Sequence, residues 1–162
     1  MNHDLLRLAL QVNQKGYLYV IGHTETGTRK IIDPPKQINL GQNKTVADFR
    51  QVLPATCPDE SARCGDCYWE ITDPAGLDVI TVIFSREQIP QLMNPGNESR
   101  VVSASFIQEL SEKAGKPMRR LWEPGKQGSD TSGVVGQYVY QVWNPNVKNN
   151  ELLVERIELN HP

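Results

Sequence analysis

Three thiols crowd into one polar segment, Cys57-Pro58-Asp59-Glu60-Ser61-Ala62-Arg63-Cys64-Gly65-Asp66-Cys67. Structural cysteines usually sit among apolar neighbours, and these do not, so their spacing points to chemistry. Two chemistries compete. Cys64 and Cys67 form a Cys-x-x-Cys knuckle that, with Cys57, would offer three thiolates to zinc, the fourth ligand coming from Asp59, Asp66 or a distant histidine. The strongest zinc signatures add a second knuckle or a histidine pair, and this segment has neither. Alternatively, Cys57 closes a disulfide with Cys64 or Cys67, stapling the loop and leaving one thiol free, an arrangement suited to an extracytoplasmic protein. Three unpaired, reduced thiols are the remaining expectation.

The other reactive side chains form no comparable group. Ser85 is followed by Arg86 and Glu87, but neighbouring residues on a strand point to opposite faces, so serine and arginine cannot act on one substrate there. The serine also lacks the flanking glycines of a nucleophile elbow. Its expected role is to end a strand. His3, His23 and His161 are scattered, none with a partner four residues away. Asp59, Glu60 and Asp66 lack the Asp-x-Asp-x-Asp-Gly spacing of a calcium loop. Lys113, Lys116, Arg119 and Arg120 are the best candidate for a local basic patch, but the favoured reading is the solvated end of a helix, where positive charge complements the dipole. Asn43-Lys44-Thr45 and Asn97-Glu98-Ser99 fit a glycosylation sequon, a pattern short enough to arise by chance. Trp69, Trp143, Tyr138 and Tyr140 fall on strand patterns, and core packing is expected for most of them. Tyr138 and Tyr140 share a face, which makes them candidates for a partner surface. No catalytic constellation emerges, so a non-catalytic role is the expectation.

What must position these residues is a β-rich scaffold. The chain has 162 residues, 12 glycines, 11 prolines and 38% hydrophobic residues, the composition of a single domain rich in loops. Its 17 basic and 19 acidic residues leave a net charge of −2, which creates no field drawing in nucleic acid or an anionic membrane. No apolar run reaches the ~18 residues of a spanning helix. The start, Met1-Asn2-His3-Asp4, lacks the basic and apolar regions of a signal peptide. It enters a strand pattern by Leu6, as a processed or excised chain with an added Met would, so the compartment stays open.

Gly16–Ile21 and Val79–Phe84 are short β-branched or aromatic runs, the pattern of strands buried on both faces. Leu6, Leu8, Leu10 and Val12 alternate with Arg7, Ala9, Gln11 and Asn13, and Asn13-Gln14-Lys15-Gly16 reads as a turn. A hairpin between these first two strands is therefore expected. Arg29–Ile32 adds a third strand to a meander, stopped by Asp33-Pro34-Pro35 because proline cannot donate to a ladder. Residues 36–68 are irregular, with a strand or short helix within Val46–Leu53. Trp69–Ile71 resumes a strand before the turn Asp73-Pro74-Ala75-Gly76. Between residues 103 and 115 the spacing predicts one short helix, with Ser105 and Gln108 as a capping box, Phe106, Ile107, Leu110 and Ala114 on one face, and Gly115 ending it. Residues 123–136 read as a loop, and Gln137–Trp143 and Leu152–Leu159 as a hairpin around Asn144-Pro145-Asn146.

With these elements in place the chain resembles bacterial domain-of-unknown-function family 4384. The matching pieces are Gly16-Tyr17-Leu18-Tyr19-Val20, Ile31-Ile32-Asp33-Pro34, Gly41-Gln42-Asn43, and Asp73-Pro74-Ala75-Gly76 leading into Val79–Phe84 and Ser85-Arg86-Glu87. The closing strand Arg156-Ile157-Glu158-Leu159-Asn160-His161 is also similar. The resemblance implies a β-sandwich accessory module, often attached to peptidase, kinase or other signalling and envelope domains, with no activity of its own. The cysteine segment is a departure from the family pattern.

The expected fold is an all-β, immunoglobulin-like sandwich over residues 1–162. It comprises a core meander over 1–90, a loop-helix-loop insertion over 91–136 and a C-terminal hairpin over 137–162. The expected function is a protein-interaction or assembly module that engages a partner or a second copy through a sheet edge or the 54–68 and 123–136 loops. The competing readings are a zinc domain or small metalloenzyme centred on Cys57, Cys64 and Cys67, and a sandwich that binds glycan or peptide.

Overall fold

A computed structural model describes residues 4–6, 8–24, 28–34, 43–48, 50–53, 69–71, 76–93, 100–121, 140–146, 148 and 151–161. The most apolar segments become the middle of a five-stranded antiparallel sheet. Strand β3 (Gly16–Thr24) lies beside β8 (Gly76–Ser85), and β8 lies beside β11 (Leu152–His161). On the far side of β3 are β4 (Lys30–Asp33) and β5 (Lys44–Thr45), each paired with a different part of it. Register places Leu18 opposite Phe84 and Val20 opposite Val82, and on the other side of β8 it places Leu153 opposite Phe84.

Because β3 and β8 are apolar on alternate residues of both parities, the sheet needs cover on both faces. One face carries Tyr19, Ile21, Ile83, Leu152 and Val154. It is covered by Leu92 of α1 (Pro90–Met93) and by Phe106, Ile107, Leu110 and Ala114 of α2 (Ala104–Ala114). The opposite face carries Leu18, Val20, Ile80, Val82 and Phe84 and packs on Leu53, Leu8, Leu10 and Val12. Leu53 belongs to β6 (Arg50–Leu53), which pairs with β2 (Leu8–Gln11). Two further antiparallel pairs are β1 (Asp4–Leu6) with β7 (Trp69–Ile71), and β9 (Met118–Leu121) with β10 (Tyr140–Trp143). The described residues are mostly strand with little helix, as the all-β expectation required.

Three pairings correct the expected connectivity. Strand β2 turns away from β3 to join β6, because Leu8 and Leu10 serve the second layer rather than the central sheet. The meander over 1–90 therefore reduces to β3 and β4. Strands β10 and β11 do not form a hairpin with one another: β10 joins β9, while β11 extends the central sheet beside β8. Within 46–53, the strand alternative holds for Arg50–Leu53, and residues 47–48 form a turn. The helix forms as predicted, but its N-cap is Ser103, whose Oγ accepts from Phe106 N–H at 3.2 Å. Gln108 Nε2 donates to Glu112 Oε1 at 2.9 Å. Gly115, at φ 74°, caps the other end and donates to Ser111 and Glu112 carbonyls.

Candidate functional site

An antiparallel sheet that does not close has two edges, and each presents unpaired backbone groups. Here the two are treated differently. Along β4, Ile31 N–H donates to the Arg100 carbonyl at 3.1 Å, and Val102 N–H donates to Arg29 at 2.9 Å. This bridge lets residues 100–102 cover that edge. Arg100 reaches the bridge with a left-handed backbone, φ 57°, and its guanidinium donates to the Pro34 carbonyl. Asp33 and Arg100 are both buried, at 7% and 8% exposure. Burial pushes the Asp33 carboxyl up to about 6, against the pull of the Arg100 charge. Beyond β4, Asn43 closes the same side: its carbonyl accepts from Leu18 N–H at 2.9 Å and its Nδ2 donates to the Leu18 carbonyl at 3.2 Å.

The opposite edge is β11. The Glu151 carbonyl accepts from Arg86 N–H at 2.8 Å, so odd-numbered residues of this segment bond toward β8. The alternation of an antiparallel ladder turns the backbone groups of Leu152, Val154, Arg156, Glu158 and Asn160 outward. Two of these meet side chains. The Leu152 carbonyl accepts from Asn144 Nδ2 at 2.6 Å, and the Arg156 carbonyl accepts from Arg119 Nη2 at 2.9 Å. Among the described residues, no strand pairs with this edge.

Side chains along β11 divide by face. Leu153, Glu155, Ile157 and Leu159 share the face turned toward β2 and β6, and Arg156 and Glu158 lie on the other. Glu155 is the anomaly, a carboxylate 3% exposed in a row of apolar residues. Its partner is Arg119 of β9, with Nε 2.6 Å from Oε1. Burial raises the Glu155 carboxyl, and Arg119 opposes that rise. Arg119 thus grips β11 twice, through one carboxylate and one carbonyl. Arg156 and Glu158 form an exposed ion pair at 3.3 Å.

The remaining candidates do not assemble into a reactive centre among the described residues. Ser85 is the last residue of β8 and is buried, while Arg86 Nη1 donates away from it to Gln14 Oε1 at 2.9 Å. The serine ends a strand, as expected. A cleft of about 140 Å³ lies between the end of β8, α2 and the start of β11, lined by Ser85, Glu87, Lys113 and Glu151. That is well below the roughly 300 Å³ at which sites for organic ligands begin. His23 is half-buried and burial lowers its pKa, helped by the charges of Arg29 and Arg156. Trp143 of β10 is 38% exposed rather than in the core. Tyr140 stands in β10 opposite Leu121. Tyr138, Cys57, Cys64, Cys67, Asp59, Glu60, Asp66 and His3 lie outside the described residues, as do the 54–68 and 123–136 loops. Among the described residues, no three His, Cys, Asp or Glu side chains gather as metal ligands would.

Residue reasoning overlooked this edge, although a signal was present. Glu155 interrupts an otherwise apolar alternation in Leu153, Ile157 and Leu159, and an inward-pointing charge is a mark of edge strands. No family model, curated protein or solved structure matches the chain.

Proposed function

We propose that the chain is a non-catalytic interaction or assembly module that takes a partner by strand addition along the outer edge of β11. The observation that carries this is the contrast between edges: the β4 side bonds to residues 100–102 and Asn43, whereas β11 extends over ten residues beside β8 with no strand on its other side among the described residues. Main-chain hydrogen bonds supply affinity in this mode, and alternate side chains supply selectivity. In this reading β2 and β6 are the second layer of an immunoglobulin-like sandwich, and α1 and α2 cover the face that such a sandwich leaves to solvent. An accessory module of a bacterial envelope or signalling system, as the family resemblance implies, would use such an edge.

Glu158→Pro tests the reading, since it removes an outward N–H without touching the ladder to β8. A photo-crosslinking residue at position 156 is expected to capture a partner polypeptide in cells. Adding Glu158→Pro should abolish capture while leaving thermal unfolding unchanged. Absence of capture, or capture indifferent to the proline, overturns the proposal.

A further inference from the structure

Resting on that interaction reading, we infer that the strand received by β11 is β11 of a second copy, the two running antiparallel about a two-fold axis at Ile157. The inference comes from the order of charges on the edge. Only residues whose backbone groups face outward can form hydrogen-bonded pairs across a new interface, which confines them to Val154, Arg156, Glu158 and Asn160 within the shared stretch. With Ile157 opposite Ile157 of the copy, Arg156 stands opposite Glu158 of the copy, and Glu158 opposite its Arg156. Val154 stands opposite Asn160. All these pairs have outward backbone groups, so the ladder and the charges agree.

Neighbouring registers fail. A slip of one residue sets outward groups against residues already bonded to β8. A slip of two sets Arg156 against Arg156 or Glu158 against Glu158, and like charges directly opposite are destabilising. The same two charges that discourage indiscriminate edge pairing therefore admit one arrangement. The ion pair between Arg156 and Glu158, at 3.3 Å within one chain, would become half of a four-charge cluster of alternating sign.

The other face fits as well. Ile157 meets its own copy at a non-hydrogen-bonded position, where cross-strand side chains approach most closely. Leu159 comes opposite Glu155, whose charge is already met by Arg119 at 2.6 Å and so enters the interface compensated. The Arg156 carbonyl, which accepts from Arg119 Nη2, keeps a second lone pair for the copy's Glu158 N–H. Helix α2 packs over the Leu152 and Val154 end of the strand, away from the axis. The result is one continuous sheet across two subunits, joined by about eight backbone hydrogen bonds.

Sedimentation equilibrium over a concentration series, paired with amide exchange at Val154, Arg156 and Glu158, tests this on the full chain. Expected are a dimer and outward amides that become protected as concentration rises. Arg156→Glu or Glu158→Arg alone should weaken dimerisation roughly tenfold, because symmetry counts each change twice. The double variant Arg156→Glu/Glu158→Arg should restore it, and Glu158→Pro should weaken it by about a hundredfold or more. A monomer with fast-exchanging outward amides overturns the second copy as occupant while leaving the open edge intact. A monomer whose outward amides are slow at every concentration overturns both, since its own chain would then cover the edge. A dimer indifferent to the charge changes places the contact elsewhere and overturns the inference.

Discussion

Among the described residues, Asp33 and Glu155 are the two carboxylates that folding takes out of water, and an arginine charge acts on each, Arg100 on Asp33 and Arg119 on Glu155. For Asp33 burial wins. Its folded carboxyl titrates near 6 against an ordinary value of 3.8, so between these values the folded chain binds the proton more tightly than the unfolded one. The sign follows: this contribution is fully present below about pH 3.8 and is lost as pH rises through about 6, at a cost of about 2–3 kcal/mol. Denaturant unfolding from pH 4 to 7 should show that decline, and Asp33→Asn should flatten it; wild-type stability that rises across the window would contradict the assignment. Arg119→Ala should cost about 1–3 kcal/mol, because it strands Glu155 in the apolar layer. The figure is below that of a fully buried pair because Arg119 itself is 55% exposed. Glu155→Gln added to Arg119→Ala should recover part of the loss, as read by thermal unfolding. The burial of Asp33 was not legible in the sequence, because a carboxylate next to prolines looks like any surface acid until an arginine arrives from a distant segment. Glu155 left one trace, its place in the apolar alternation of Leu153, Ile157 and Leu159.

At the scale of elements, hydrophobic period did most of the work. The runs from Gly16 and Val79 are central strands, and Phe106, Ile107, Leu110 and Ala114 form the buried face of α2, because each pattern is local. Partner choice is not local. Asn13 to Gly16 has turn chemistry, yet the chain uses it to change layers rather than to fold back. Thr45 Oγ1 donates to the Gln14 carbonyl at 3.2 Å, and Asp48 N–H to Val12 at 2.7 Å, which holds β2 out of the central sheet. Gly16 shows how tightly that corner is packed. A Cβ there would lie 2.4 Å from the Ser85 carbonyl oxygen and 2.6 Å from the Phe84 ring. Gly16→Ala must therefore push β3 off β8, at about 2–4 kcal/mol in urea unfolding. Ser103→Ala should cost about 1 kcal/mol by uncapping α2, whereas Ser105→Ala should be close to neutral. Equal effects would return the cap to Ser105.

For the molecule as a whole, composition correctly pointed to a β-rich chain. It was silent on the three layers, which arise because one sheet is apolar on both sides and recruits helices for one face and β2 with β6 for the other. The edge at β11 was marked in the sequence only by Glu155 within its apolar alternation; which strand lies beside it follows from the register with β8.

The position of β8 in the middle of the sheet has a consequence for synthesis. Its two neighbours are β3, ending at Thr24, and β11, beginning at Leu152, so contacts on both sides span long stretches of chain. Folding dominated by such distant pairings is slow, on the order of milliseconds to seconds. On the ribosome, Val79–Phe84 emerges long before β11 can shield it. An uncharged β-branched run left waiting in that way is the segment through which nascent chains would associate. Slower elongation across 86–151 should therefore lower the yield of folded protein, and a chaperone that holds extended apolar segments should restore it.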